Sequence, residues 1–143
     1  MYCTLDDIQK QVIQDSLIQL TDDNQLGVID TDVIQEAISY SGTLIDGYLR
    51  GRYTLPLSTV PEIIKIIAVD LSIYRLYSRR FQTEMPDAIK EKYNHSSKIL
   101  EQIQRGKILP DIESEEEMCL KREYKCNKTY SDRIFSNEVL KKF

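Results

Sequence analysis

The sequence predicts an all-α protein: a compact bundle of about four helices over residues 1–109, followed by an extended C-terminal arm over residues 110–143. Three observations lead there. Apolar side chains recur at three- and four-residue spacing, the period of a helix with one buried face. The stretches that carry them are bounded by N-cap residues, prolines and glycines, which start and stop helices. Beyond Pro110 the periodicity ends, and Glu113, Glu115, Glu116 and Glu117 make a solvated acidic patch. With 41% hydrophobic and 29% charged residues in a chain of 143, a buried core is attainable without disulfide staples.

Each element has its own local reason. The first helix opens at Thr4, where Thr4-x-x-Asp7 has the form of a capping box and places an acid at the positive end of the helix dipole. Leu5, Ile8 and Val12 follow on one face. A short second stretch, Asp15–Leu20, presents Leu17, Ile18 and Leu20, then ends in Thr21-Asp22-Asp23-Asn24, residues that bond their own backbone and favour turns. The next helix starts after Asp30 or Thr31, both good N-caps. Ile34, Ile38, Ile45 and Leu49 mark its buried stripe, and the small Ala37, Ser41 and Gly42 beside them let a neighbouring helix come close. Pro56 excludes Leu55 from the α region, so the chain from Leu49 to Leu57 leaves the helix as a loop.

Pro61 sits where a helix accepts proline, its first turn. From Ile63 to Tyr77 nearly every side of the helix is aliphatic or aromatic, which predicts a central helix covered by the others. Ile64, Ile67, Leu71 and Tyr74 are expected to be nearly inaccessible. The last helix runs from near Pro86 to Gly106, with Ile89, Tyr93, Ile99, Leu100 and Ile103 on one face; Gly106 caps it and Pro110 stops any continuation. In the arm, Tyr124, Tyr130, Ile134, Phe135, Leu140 and Phe143 are too sparse for a core of their own and are expected to be buried by docking, on a neighbouring copy if the arm works between subunits.

Composition narrows the function. The apolar run Ile63–Tyr77 is interrupted by Lys65, Asp70 and Arg75 and is no membrane span. The N-terminus lacks an apolar signal region, and Cys3, Cys119 and Cys126 are odd in number and scattered, as expected of a reducing compartment. A net charge of −4 speaks against nucleic acid as a bulk electrostatic partner. The charge is segregated: −6 over residues 1–60, +3 over 61–110 and −1 beyond. That asymmetry suits head-to-tail contact between copies, the alternative being two solvated helix faces.

No catalytic, cofactor or metal site stands out. His95 is the single histidine, in a polar run on an exposed helix face. Cys119 and Cys126 have no partnering pair at zinc-ligand spacing. Gly42 and Gly47 have phosphate-loop spacing but continue into Tyr48-Leu49 where Lys-Ser/Thr is needed. Asp46 and Asp70 could act as an acid–base couple; the structural alternative pairs them with arginines, Asp46 with Arg50 at the favourable i, i+4 spacing and Asp70 with Arg52 or Arg50. Tyrosines interleaved with Arg50, Arg52, Arg75, Arg79 and Arg80 suit either nucleic-acid stacking or a protein interface, and the acidic total favours the interface.

Ile45-Asp46-Gly47-Tyr48-Leu49-Arg50-Gly51-Arg52-Tyr53, followed by Leu55-Pro56-Leu57 and Val60-Pro61, resembles the signature region of a small protein family of Mu-like phages and prophages. The resemblance extends to Tyr2-x-Thr4, Leu17–Asp22, Asp70–Tyr77, the helix holding Tyr93, Leu100 and Gly106, and the ending Ser131–Ser136. The stretch between Pro110 and Tyr130 is longer and richer in Lys and Glu than the family's. The resemblance implies head morphogenesis without enzymatic chemistry, and similarity to helical head–tail connector (adaptor) proteins. It further implies self-association, with a ring as one outcome, phage portal or other head–tail junction proteins as partners, and assembly in the bacterial host cytoplasm. It carries over no catalytic, cofactor or metal residues. The interaction candidates are Asp46, Arg50, Arg52, Tyr53, Asp70, Ile134, Phe135 and Phe143. A second function class, a small helical nucleic-acid-binding or regulatory domain, and a third, a hydrolase using Asp46 and Asp70, remain as alternatives.

Overall fold

A computed structural model describes residues 1–80 and 84–112. Among them the secondary structure is helical throughout: α1 (Leu5–Gln9), α2 (Gln14–Thr21), α3 (Thr31–Leu49), α4 (Glu62–Ser78) and α5 (Asp87–Gln104). Three long helices make the bundle, and two short ones close one side of it.

The helix boundaries follow the local chemistry. At α1 the Asp7 carboxylate accepts from the Thr4 backbone N–H at 3.1 Å and from the Thr4 hydroxyl at 2.8 Å, forming the expected capping box. Asp30, rather than Thr31, caps α3, its carboxylate accepting from the N–H groups of Asp32 and Val33. Thr21 is fully buried and links two elements: its hydroxyl donates to the Leu17 carbonyl at 2.7 Å and accepts from the Asp30 N–H at 3.2 Å. Pro61 and Pro86 stand at the N-caps of α4 and α5, just before the first turn. At the end of α5, Gly106 adopts φ +71°, the left-handed conformation of a helix stop. The Lys107 N–H then reaches the Gln102 carbonyl and the Gly106 N–H that of Ile103, satisfying the orphan carbonyls of the last turn.

The core lies mainly between α3 and α4, with α5 against both. Ile34, Ile38, Ile45 and Leu49 from α3 and Ile64, Ile67, Leu71 and Leu76 from α4 are buried with Leu100 and Ile103 of α5. The small residues read from the sequence do allow close approach: Ala37 and Ser41 of α3 are buried, as are Ala68 and Ser72 of α4. The Ser41 and Ser72 hydroxyls lie 2.9 Å apart, each within reach of a carbonyl of its own helix, and Cys3 Sγ sits 3.7 Å from Ser72 Oγ.

Two expectations for α4 need correction. Among the described residues the helix is not covered all round: Ile66 is 50% exposed, on a side that α3, α5 and the short α1 and α2 do not reach. Tyr74 is only half-buried, its ring stacked on Tyr93 of α5 with centroids 3.9 Å apart, where the phenol can keep contact with water. Between α3 and α4, Tyr53 turns into the core and the Leu55–Pro56 peptide bond is cis. Pro110 is buried and Ile112 packs at the core's edge; Ile134, Phe135, Leu140 and Phe143 lie outside the described residues.

Candidate functional site

The signature segment at the end of α3 places its side chains in different settings. Asp46 accepts a short hydrogen bond from the Tyr2 hydroxyl, which ties the N-terminal segment to α3. Burial, reinforced by this bond to a carboxylate, pushes the Tyr2 phenol far above its ordinary pKa. Asp46 therefore does not form the expected i, i+4 pair with Arg50, which is exposed. Gly42 faces the Tyr2 ring rather than a neighbouring helix, and a Cβ there would lie 3.9 Å from that ring, an ordinary van der Waals contact. Arg52 folds back across the C-terminal turn of α5, where a Cβ on Gly106 would collide with its guanidinium. Gly106 is favoured for its left-handed backbone conformation, while the Arg52 guanidinium, at the end of a flexible side chain, could move aside for a Cβ.

Asp70 corrects a further expectation. Its carboxylate meets neither Arg50 nor Arg52; it faces α5, accepting from the Ser96 hydroxyl at 3.1 Å with Lys92 Nζ at 4.0 Å. Lys92 also donates to Gln11 at 3.2 Å. Asp70 borders a cleft of about 280 Å³ between the α1–α2 turn, α4 and α5, walled by Val12, Ile13, Ile73, Tyr77 and Ile89. Asp46 and Asp70 are engaged on separate elements, one with Tyr2 and the other with α5. Among the described residues no three His, Cys, Asp or Glu side chains are grouped to hold a metal ion, and no helix is long and apolar enough to cross a membrane. His95 is exposed, and Gly42 and Gly47 lie inside α3, where no phosphate loop can form.

The segregated charges meet each other within the chain. Lys65 on α4 reaches Asp7 at 3.1 Å, and Arg75 reaches Glu36 at 3.4 Å while its guanidinium lies over the Tyr40 ring. Hydrogen bonds from Thr4 and Lys65 hold the Asp7 carboxyl well below its ordinary pKa, the same bond raising Lys65. At the far end of α4, Arg79 and Arg80 clamp the α2–α3 loop. Arg79 donates to the Leu20 carbonyl at 3.0 Å, Arg80 to the Asp22 carbonyl at 2.8 Å, and both pair with the Asp23 carboxylate. Two carbonyls left open at the end of α2 are thereby satisfied, and the Arg79 hydrogen bond lowers the Asp23 pKa. Part of the acidic first third, Asp7, Asp23 and Glu36, is therefore paired with part of the basic middle of the sequence inside one domain.

The clamp shapes a loop that the sequence pattern did not single out. The Asp22 carboxylate accepts from the N–H groups of Leu26 and Gly27, which lowers its pKa, while Gln25 and Gly27 turn through φ +57° and +72°. Nothing crowds Gly27, so its role is conformational. The result is a braced loop with Leu26 71% and Val28 57% exposed. Asp22-Asp23 was readable as a turn; its arginine partners, far along the chain, were not.

The chain has relatives among phage and prophage proteins. The chain is 29% identical over 114 residues to "Gene product J" of Escherichia phage Mu, covering 79% of this chain and 78% of the relative. It is 30% identical over 89 residues to "Mu-like prophage FluMu protein gp36" of Haemophilus influenzae, covering 62% of this chain and 60% of that protein. Residues 2–125, which include every helix described above, match the profile of the family described as "Bacteriophage Mu, Gp36", and the chain belongs to that family.

Proposed function

We propose that this Mu-like phage protein is a structural subunit without enzymatic activity, a head–tail connector (adaptor) that self-associates at the portal vertex. In this reading it is made in the host cytoplasm and its partners are portal or other head–tail junction proteins. One observation carries the reading toward protein partners: Lys65 and Arg75 of α4, and Arg79 and Arg80 just beyond it, are engaged by carboxylates of the same domain, while large apolar side chains such as Ile13, Leu26, Val28 and Leu109 stand at the surface. Surface of that kind serves protein contact, whereas a nucleic-acid site needs cations free to meet phosphates. The asymmetric sequence charge is matched internally only in part, at Asp7, Asp23 and Glu36, so charge can orient a contact between copies while apolar side chains supply most of its drive.

The test is the mass of the full chain in solution, by sedimentation over a wide concentration range, alone and with the portal protein of the same phage. Discrete oligomers, or a stoichiometric complex with the portal, are expected. A chain that stays monomeric in both settings would overturn the proposal, as would tight DNA binding that falls steeply with salt.

A further inference from the structure

The geometry points to a specific head-to-tail contact between copies: the braced Leu26/Val28 loop of one subunit seats in the groove along the second half of α3 of the next. This rests on the proposed self-association and names the surfaces that make it. The groove has a volume of about 400 Å³ and is lined by Tyr40, Thr43, Leu44, Gly47, Tyr48 and Gln104. Its lining includes Gly47, where nothing lies within 4 Å of a Cβ position, so a side chain from outside can lie against the helix backbone. Tyrosine-lined hollows of this kind are favoured at protein interfaces.

The loop has the complementary form. It presents two aliphatic side chains, and the Asp22 carboxylate, Arg79 and Arg80 hold its backbone in place. A protrusion already fixed in shape loses little conformational freedom on docking, which favours binding. Charge agrees with the pairing. The loop end of α3 carries Asp22, Asp23, Asp30 and Asp32, offset by Arg79 and Arg80; the groove end carries exposed Arg50, Arg105 and Lys107, with Glu101 paired to Arg105. An acidic end thus meets a basic one.

The two surfaces lie at opposite ends of the same helix, about 21 Å apart for the fourteen residues from Asp30 to Leu44 at 1.5 Å each. A contact between two different patches is heterologous, so every copy offers one free loop and one free groove, and the chain of contacts closes into a ring or runs on.

Two variants of the full chain test this by sedimentation, with circular dichroism verifying the fold. Leu26→Asp charges an exposed side chain, and Gly47→Arg fills the groove from a position with open space around it. Each is expected to weaken self-association by about thirtyfold or more, the scale of a hot-spot loss. Mixed together they should form a 1:1 pair and go no further, because only the loop of Gly47→Arg and the groove of Leu26→Asp remain usable. Wild-type assembly with either variant unaffected, or no pairing in the mixture, overturns this contact and leaves the connector proposal standing. A wild-type chain that never assembles overturns both.

Discussion

Replacing Asp70 by Asn and by Ala separates two accounts of the one carboxylate in the middle of the apolar α4. If Asp70 served a buried ion pair, loss of charge alone would cost about 3–5 kcal/mol. The structure argues otherwise. The cation, Lys92, stands 4.0 Å away with its side chain 57% exposed, against 11% for Asp70; an ion pair so solvated contributes about 0–1 kcal/mol. The firmer partner is Ser96, 2% exposed and 3.1 Å away. Asn keeps an acceptor at that place, so Asp70→Asn is expected to cost about 1 kcal/mol or less. Ala removes a charge-assisted hydrogen bond and leaves the Ser96 hydroxyl buried without it, for about 2–3 kcal/mol. Lys92→Ala should resemble Asp70→Asn, and Ser96→Ala should fall between. Urea unfolding followed by circular dichroism, with unchanged m-values, measures all four. Equal costs for Asn and Ala, or a Lys92→Ala cost of about 3 kcal/mol, would refute the reasoning.

Other outcomes follow from the same coordinates. Leu71→Ala, at a position 1% exposed, should cost about 2–5 kcal/mol through lost burial and a cavity, while Ile66→Ala on the uncovered side of α4 should change stability by about 0.5 kcal/mol or less; similar costs would mean the exposed side of α4 is assigned wrongly. Acid should destabilise the domain. Asp7, Asp22 and Asp23 titrate below their ordinary 3.8 in the folded chain, so their contribution is complete above that pH and is lost as the pH falls below it toward the folded values. Thermal melting followed from neutral pH down to about pH 2 should show the loss, with a shallower decline in Asp23→Asn; a flat profile would contradict the hydrogen bonding described for these carboxylates.

The sequence by itself determined the local features. The Thr4–Asp7 box, the Asp30 cap, Pro61, Pro86 and the Gly106 stop are short-range arrangements, complete within a few residues, and the structure has all of them. The buried stripe of α3 was legible for the same reason, since helical period alone decides which residues share a face. The resemblance to Mu-like phage proteins was likewise carried by contiguous motifs, and the family match bears it out. What only the tertiary structure decided is which distant residues meet. Asp70 faces Lys92 and Ser96 because α5 lies against α4, and no spacing in the sequence distinguishes those partners from Arg50 or Arg52. Asp46 turns to Tyr2, Asp23 to Arg79 and Arg80, and Ile66 to solvent, each by virtue of where a neighbouring helix lies or is missing. Period fixes which face a side chain occupies; only packing fixes what covers that face, because the contact joins elements whose relative placement depends on the whole core.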